Sequence, residues 1–147
     1  MKHIAGAALA IALAFPALAA EIPPLPVTSA VVPVAELAGA TPAAVSAELG
    51  APTSCEKSKY GRKCFYEDGA IEVVFIGGAA DWFTIYPKDA FMTASSLRQL
   101  RLPVDQRPAA ETADVIRWDG LGGVFEVSAY AGEGGRVSYF YVKTRTP

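Results

Sequence analysis

The sequence predicts an α+β domain in which two tandem helix-plus-β-hairpin units form one antiparallel sheet with helices on one face. Three observations carry this expectation: a repeat of about fifty residues, helix-start chemistry at the head of each copy, and aromatic, β-branched segments broken by glycine behind it. Thr41 and Thr93 stand 52 residues apart, the Asp-Gly turns at Asp68 and Asp119 stand 51 apart, and Glu72 and Glu126 stand 54 apart. The first unit spans about 35–87 and the second about 88–147 of a single domain, 35–147.

In the first unit a short helix over about Val34–Ala38 stops at Gly39. A second helix starts at Thr41 as N-cap with Pro42 in its first turn, places Val45 and Leu49 on one side, and ends at Gly50 before Pro52. From Cys64 onward Val, Ile, Phe, Tyr and Trp dominate, with breaks at Gly69, Gly77-Gly78 and Pro87. Ile71, Val73 and Phe75 share one strand face, and Glu72 and Val74 share the other, as in a sheet with one buried face. The second unit opens with a helix over about 93–102 stopped by Pro103, followed by a polar loop and strands near 115–118, 124–130 and 136–143.

The start of the chain reads differently. Lys2 and His3 precede an apolar run from Ile4 to Phe15, and Pro16-Ala17-Leu18-Ala19 supplies a small-x-small cleavage site, so residues 1–19 read as a secretory signal peptide cut after Ala19 or Ala20. The run falls short of the roughly 20 apolar residues of a membrane span, and Gly6 and Pro16 interrupt it. No transmembrane segment is therefore expected after cleavage, and the address is periplasmic or secreted. Residues 20–34, with Pro23, Pro24, Pro26 and Pro33, read as an extended Pro-rich leader.

Cleavage removes the only histidine and leaves 12 Lys and Arg against 15 Asp and Glu, a net charge of −3 that offers no general attraction to nucleic acid. Cys55 and Cys64, separated by eight residues in an exported chain, read as one structural disulfide. No metal site or cofactor is expected from these residue types.

The run from Leu37 through Thr41-Pro-Ala-Ala-Val45 to Leu49-Gly50-Ala-Pro52, followed by an aromatic strand and a hairpin, resembles the small bacterial envelope proteins of the SmpA/OmlA (BamE) type. The tandem layout is also similar to the fold of the β-lactamase inhibitor proteins. The resemblance covers mainly residues 37–86, and the chain lacks the lipid-bearing cysteine of the envelope lipoproteins. It implies a binding module without catalysis.

The residues themselves point the same way. Without an imidazole there is no base for a Ser-His or Cys-His mechanism. Ser54-Cys55-Glu56-Lys57 matches Ser-x-x-Lys but falls in an expected loop, with only a broken Lys-Thr-Gly at Lys143-Thr144-Arg145. Glu67, Asp68 and Asp119 would need their turns to meet before they could work as paired carboxylates, and Asp before Gly is ordinary turn chemistry.

Two groups remain as partner-binding candidates. Lys57, Lys59, Tyr60, Arg62 and Lys63 lie inside the ring closed by the cysteines, where a pinned loop loses little entropy on binding; a solvated hairpin tip is the competing reading. Alternation puts Trp82, Thr84 and Tyr86 on one face of their strand and Val137, Tyr139 and Tyr141 on one face of theirs. These aromatic rows either pack under helices or, exposed, form a protein-binding face. The expected function is a non-enzymatic module that binds an envelope or secreted protein, as assembly factor or inhibitor. A periplasmic small-ligand carrier is the alternative, favoured by a closed apolar cavity.

Overall fold

The computed structural model describes residues 23–147. The proposed signal peptide lies outside the described residues, as does the start of the leader. No helix among the described residues is long and apolar enough to cross a membrane.

The expected α+β architecture is overturned: the domain is predominantly β, a single eight-stranded antiparallel sheet. Each unit contributes a four-stranded meander rather than a hairpin. The first comprises β1 (Ser54–Lys57), β2 (Arg62–Tyr66), β3 (Ile71–Ile76) and β4 (Ala79–Ile85), and the second β5 (Ala110–Glu111), β6 (Val115–Asp119), β7 (Glu126–Ala131) and β8 (Val137–Lys143). The strand order is β1-β2-β3-β4-β8-β7-β6-β5, so the last strands of the two meanders pair with each other. Because β4 and β8 pair antiparallel, an approximate two-fold axis normal to the sheet relates the units.

Helix is reduced to α1 (Val34–Leu37) and α2 (Pro42–Leu49), while the helix expected over 93–102 is a tight 3-10 coil over Ala94–Leu100. The reason is local hydrogen bonding. In α2 the Thr41 hydroxyl accepts from the Ala44 N–H at 3.3 Å, as an N-cap should. The Thr93 hydroxyl instead bonds Ser95 Oγ at 2.7 Å, and Ser96 Oγ donates to the Thr93 carbonyl at 2.8 Å. Serine and threonine thus compete with the α-helical ladder, and Arg101 ends the coil in the left-handed region at φ 54°.

One sheet face carries the core. Tyr66, Val73, Phe83, Ile85, Trp118, Val127, Phe140 and Val142 are buried there, beneath Val34, Val45, Leu97 and Leu100 from the helical pieces. The leader is built into the domain as well. The Thr28 N–H donates to the Tyr86 carbonyl and its own carbonyl accepts from Lys88 N–H, both at 2.8 Å, and Val32 is fully buried.

The structural repeat is shifted from the sequence repeat. Both units carry a bulge in their last strand, after the pairs Val74–Trp82 and Tyr130–Tyr139. Val74 therefore corresponds to Tyr130 and Trp82 to Tyr139, whereas Glu72 matches Ser128 and not Glu126. The bulge residues are Asp81 and Ser138, and they differ sharply. Asp81 is buried, and its carboxylate accepts from the Arg145 and Thr146 N–H groups at 3.0 and 3.1 Å and from the Thr146 hydroxyl at 2.9 Å. It ties the C-terminal tail to the β4–β8 seam.

Removing this carboxylate strands three donors, so Asp81→Ala should lower stability by about 2–4 kcal/mol in denaturant unfolding. The opposite sign is expected at Tyr66, whose buried hydroxyl has no hydrogen-bond partner among the described residues. Tyr66→Phe should leave the unfolding midpoint unchanged or raise stability by up to about 1 kcal/mol.

Candidate functional site

The opposite sheet face is not covered by helices, and strand alternation concentrates on it most of the chain's tyrosines. Three cross-strand rows can be read from the register. Lys63, Val74, Trp82, Lys143 and Glu126 form one, and Phe65, Glu72, Thr84, Tyr141 and Ser128 the next. Tyr139 and Tyr130 pair in the third, with Tyr86 beside Tyr139. Trp82, Tyr86, Tyr130, Tyr139 and Tyr141 are all half-buried, so the rows form an open aromatic surface, not a layer sealed under helices. The bulge at Ser138 breaks the simple alternation expected for β8: Val137 turns into the core while Tyr139 and Tyr141 stay on the open face.

The aromatic rings divide into two groups. At one end Tyr130 stacks on Tyr139 with centroids 4.6 Å apart, and Tyr86 lies 6.0 Å from Tyr139. At the other, Tyr60 meets Trp82 edge-on at 4.6 Å, and Trp82 lies tilted 6.4 Å from Tyr141. Lys59 sits over the Tyr60 ring and Lys143 over the Tyr141 ring, at 5.3 and 6.0 Å.

The disulfide is what brings Tyr60 to this cleft. Cys55 and Cys64 are bonded and directly opposite in β1 and β2, which fixes the hairpin whose tip carries Tyr60. Ser58 shapes the tip, its hydroxyl accepting from the Tyr60 and Gly61 N–H groups at 3.3 and 3.2 Å. Gly61 is required there, since any side chain would collide with the Phe75 carbonyl oxygen. Tyr60 is 52 % exposed even while it leans on Trp82. Trp82 is itself held, because its Nε1–H donates to the Thr146 hydroxyl at 3.2 Å and Thr146 is fixed by Asp81.

The four cations of the hairpin do not share one face. Lys63 faces the open surface, bonded to Glu72 at 3.5 Å and lying 5.3 Å over Phe65. Lys57 and Arg62 share the parity of Cys55 and buried Cys64, which places them toward the other face at the sheet edge. The structure therefore joins Lys59, Tyr60 and Lys63 to Trp82 and Tyr141, puts Tyr86 and Tyr139 at the far end of the same face, and leaves Lys57 and Arg62 aside. Asp81 and Thr146 are the contributors that sequence reasoning passed over. The bulge alone gives Asp81 its place, and a bulge leaves no mark in hydrophobic alternation.

The residues weighed for catalysis are kept apart. Ser54 and Lys57 are three apart on an extended strand, so their side chains leave opposite faces. The Glu67-Asp68 turn precedes β3 and Asp119 ends β6, which places them at opposite ends of the sheet.

Two phenols titrate abnormally. Burial, then the nearby Glu126 carboxylate, raises the Tyr141 hydroxyl above its ordinary value of 10.0, and burial followed by Glu72 does the same for Tyr86. A comparison with protein-family models, curated proteins and solved structures gives no match to this chain.

Since the fold favours the neutral form of both phenols, their contribution to stability is fully present below pH about 10 and is lost as pH rises through the folded-state values. In alkaline titration by phenolate absorbance, Tyr86 and Tyr141 should ionise late, and Tyr141→Phe should remove one late-ionising group. Breaking the disulfide with Cys55→Ser plus Cys64→Ser should cost about 2–3 kcal/mol in denaturant unfolding. It should also raise quencher access to Trp82, with Trp118, only 1 % exposed, unaffected.

Proposed function

We propose that this chain is an exported, non-enzymatic module that binds another envelope or secreted protein through its open aromatic sheet face. The observation that carries the reading is the convergence of Tyr60, Trp82 and Tyr141 on a surface left uncovered by the fold. Aromatic side chains of this size offer large contact area at small entropic cost, and they dominate binding energy when a partner dries them. The disulfide and the Asp81 tether hold two of the rings in advance, so less ordering is lost on association.

The exported address rests on the signal-like start of the chain and on the disulfide, which suits an oxidising compartment. The envelope setting, and a role in assembly or inhibition, rest on the resemblance of residues 37–86 to the SmpA/OmlA type. The small-ligand alternative is less well supported. The rings line an open concavity of about 320 Å³ on the sheet surface and are not gathered into a cavity beneath the helices.

A photo-crosslinking residue at Thr84, central on the open face, should capture a discrete protein in cells. Tyr60→Ala combined with Trp82→Ala should reduce that capture by about tenfold or more. Charge reversal at Lys59 and Lys63 should also weaken it, whereas reversal at Lys57 and Arg62, which face away, should not. Equal loss from both charge reversals would remove this face as the binding surface.

A further inference from the structure

The open face carries hydroxyl and ammonium groups free to donate to a ligand, set among aromatic rings. Among the described residues, the hydroxyls of Tyr60, Tyr86, Tyr130, Tyr139 and Tyr141 make no hydrogen bond, although each lies on or beside the face. Lys59 and Lys143 add ammonium donors at the cleft. The two carboxylates of the face are each engaged through one oxygen: Glu72 is bonded to Lys63, and Glu126 accepts from the Ser128 hydroxyl at 3.2 Å. A ligand that offers carbonyl acceptors and apolar rings meets donors and aromatic surface together at this cleft.

The chain carries a segment of that kind, largely exposed, alongside the same face. Leu25 and Pro26 line, with Phe65, Gly69, Glu72 and Tyr86, a concavity of about 220 Å³. The approach is close, for a Cβ at Gly69 would stand 3.6 Å from Pro26 Cγ. Glu72 also borders the concavity formed by Tyr60, Trp82 and Tyr141, so the two adjoin. Both are lined by aromatic rings, Phe65 and Tyr86 in the first and Tyr60, Trp82 and Tyr141 in the second, and the second adds Lys59 and Lys63.

We propose that the cleft between Tyr60, Trp82 and Tyr141 takes an extended, proline-containing segment of the protein partner, continuing across the face in the manner of Leu25-Pro26. The inference rests on the binding-module reading and names the chemistry of its ligand. Proline has no N–H to donate, its carbonyls in the extended helix are unpaired, and its ring packs against aromatic faces. The extended form is stiff before binding, so little entropy is lost. Tyr60 and Tyr141 donate to peptide carbonyls. The Trp82 ring contributes packing alone, because its N–H is already used by Thr146.

The test uses the full exported chain and a synthetic Pro-Pro-Leu-Pro-Pro-Leu-Pro peptide, with Trp82 emission as the readout, since Trp118 is buried. A saturable change is expected, absent in Trp82→Phe. Tyr60→Phe and Tyr141→Phe, which keep the rings and the fold, should each weaken binding by about three- to tenfold through loss of one donor. The proposal is overturned by no saturable change, by an equal response to the peptide with its prolines replaced by alanine, by a chito-oligosaccharide binding as well as the peptide, or by unaltered affinity in both Tyr→Phe variants. Crosslinking at Thr84 separates the two levels. Capture of a protein together with failure of the peptide removes only the proline chemistry, whereas failure to capture any protein removes the binding module itself.

Discussion

The pairing of β4 with β8 is the constraint on which the rest of the molecule depends. Each meander alone is a four-stranded sheet with one apolar face, too small to seal itself. Four cross-strand pairs, from Trp82–Lys143 to Ile85–Phe140, join them and alternate their duties along the seam. Phe83 with Val142, and Ile85 with Phe140, drive the core side together. Trp82, Thr84, Tyr141 and Lys143 are carried to the other side by the same alternation. Core and candidate site are therefore two consequences of one register, and a slip of one residue would exchange them. Asp81 guards that register by binding the tail that follows β8.

Much of this was legible in the chain and some was not, for identifiable reasons. The strands with strong apolar alternation, β3, β4, β7 and β8, announce themselves in sequence, as does α2 through Thr41, Pro42 and Gly50. The edge strands do not, because Ser54–Lys57 and Ala110–Glu111 are short and polar and gain their structure from their neighbours. Missing them turned two meanders into two hairpins and inflated the share of helix. The segment after Thr93 has the apolar spacing of a helix, but its serines bond locally and keep it a 3-10 coil. The repeat was visible, while its true alignment was hidden by unequal turns. Only two residues, Gly77 and Gly78, separate β3 from β4, against five between β7 and β8.

The aromatic rows show where sequence reasoning reaches its boundary. Alternation tells which side chains share a face, and it told this for Trp82, Thr84 and Tyr86. It does not tell which face the helices cover. That follows from the balance of the two rows: Phe83, Ile85, Phe140 and Val142 cannot hydrogen-bond, whereas tyrosines can keep their hydroxyls in water while their rings lean on one another. The hairpin cations show the same limit. Four positive charges close in sequence look like one patch, yet the pleat sends Lys63 and Lys57 to opposite sides.

The two outer strands have a consequence for how the domain keeps its own company. A sheet of eight strands ordinarily risks growing by recruiting further strands at its margins. Here one margin is the four-residue β1, carrying Glu56 and Lys57 and clamped to β2 by the disulfide, and the other is the two-residue β5, ending in Glu111. Short, charged borders discourage lateral stacking of copies into fibres. Bare aromatic rings can lie on the broad surface of this sheet while its borders resist polymerisation.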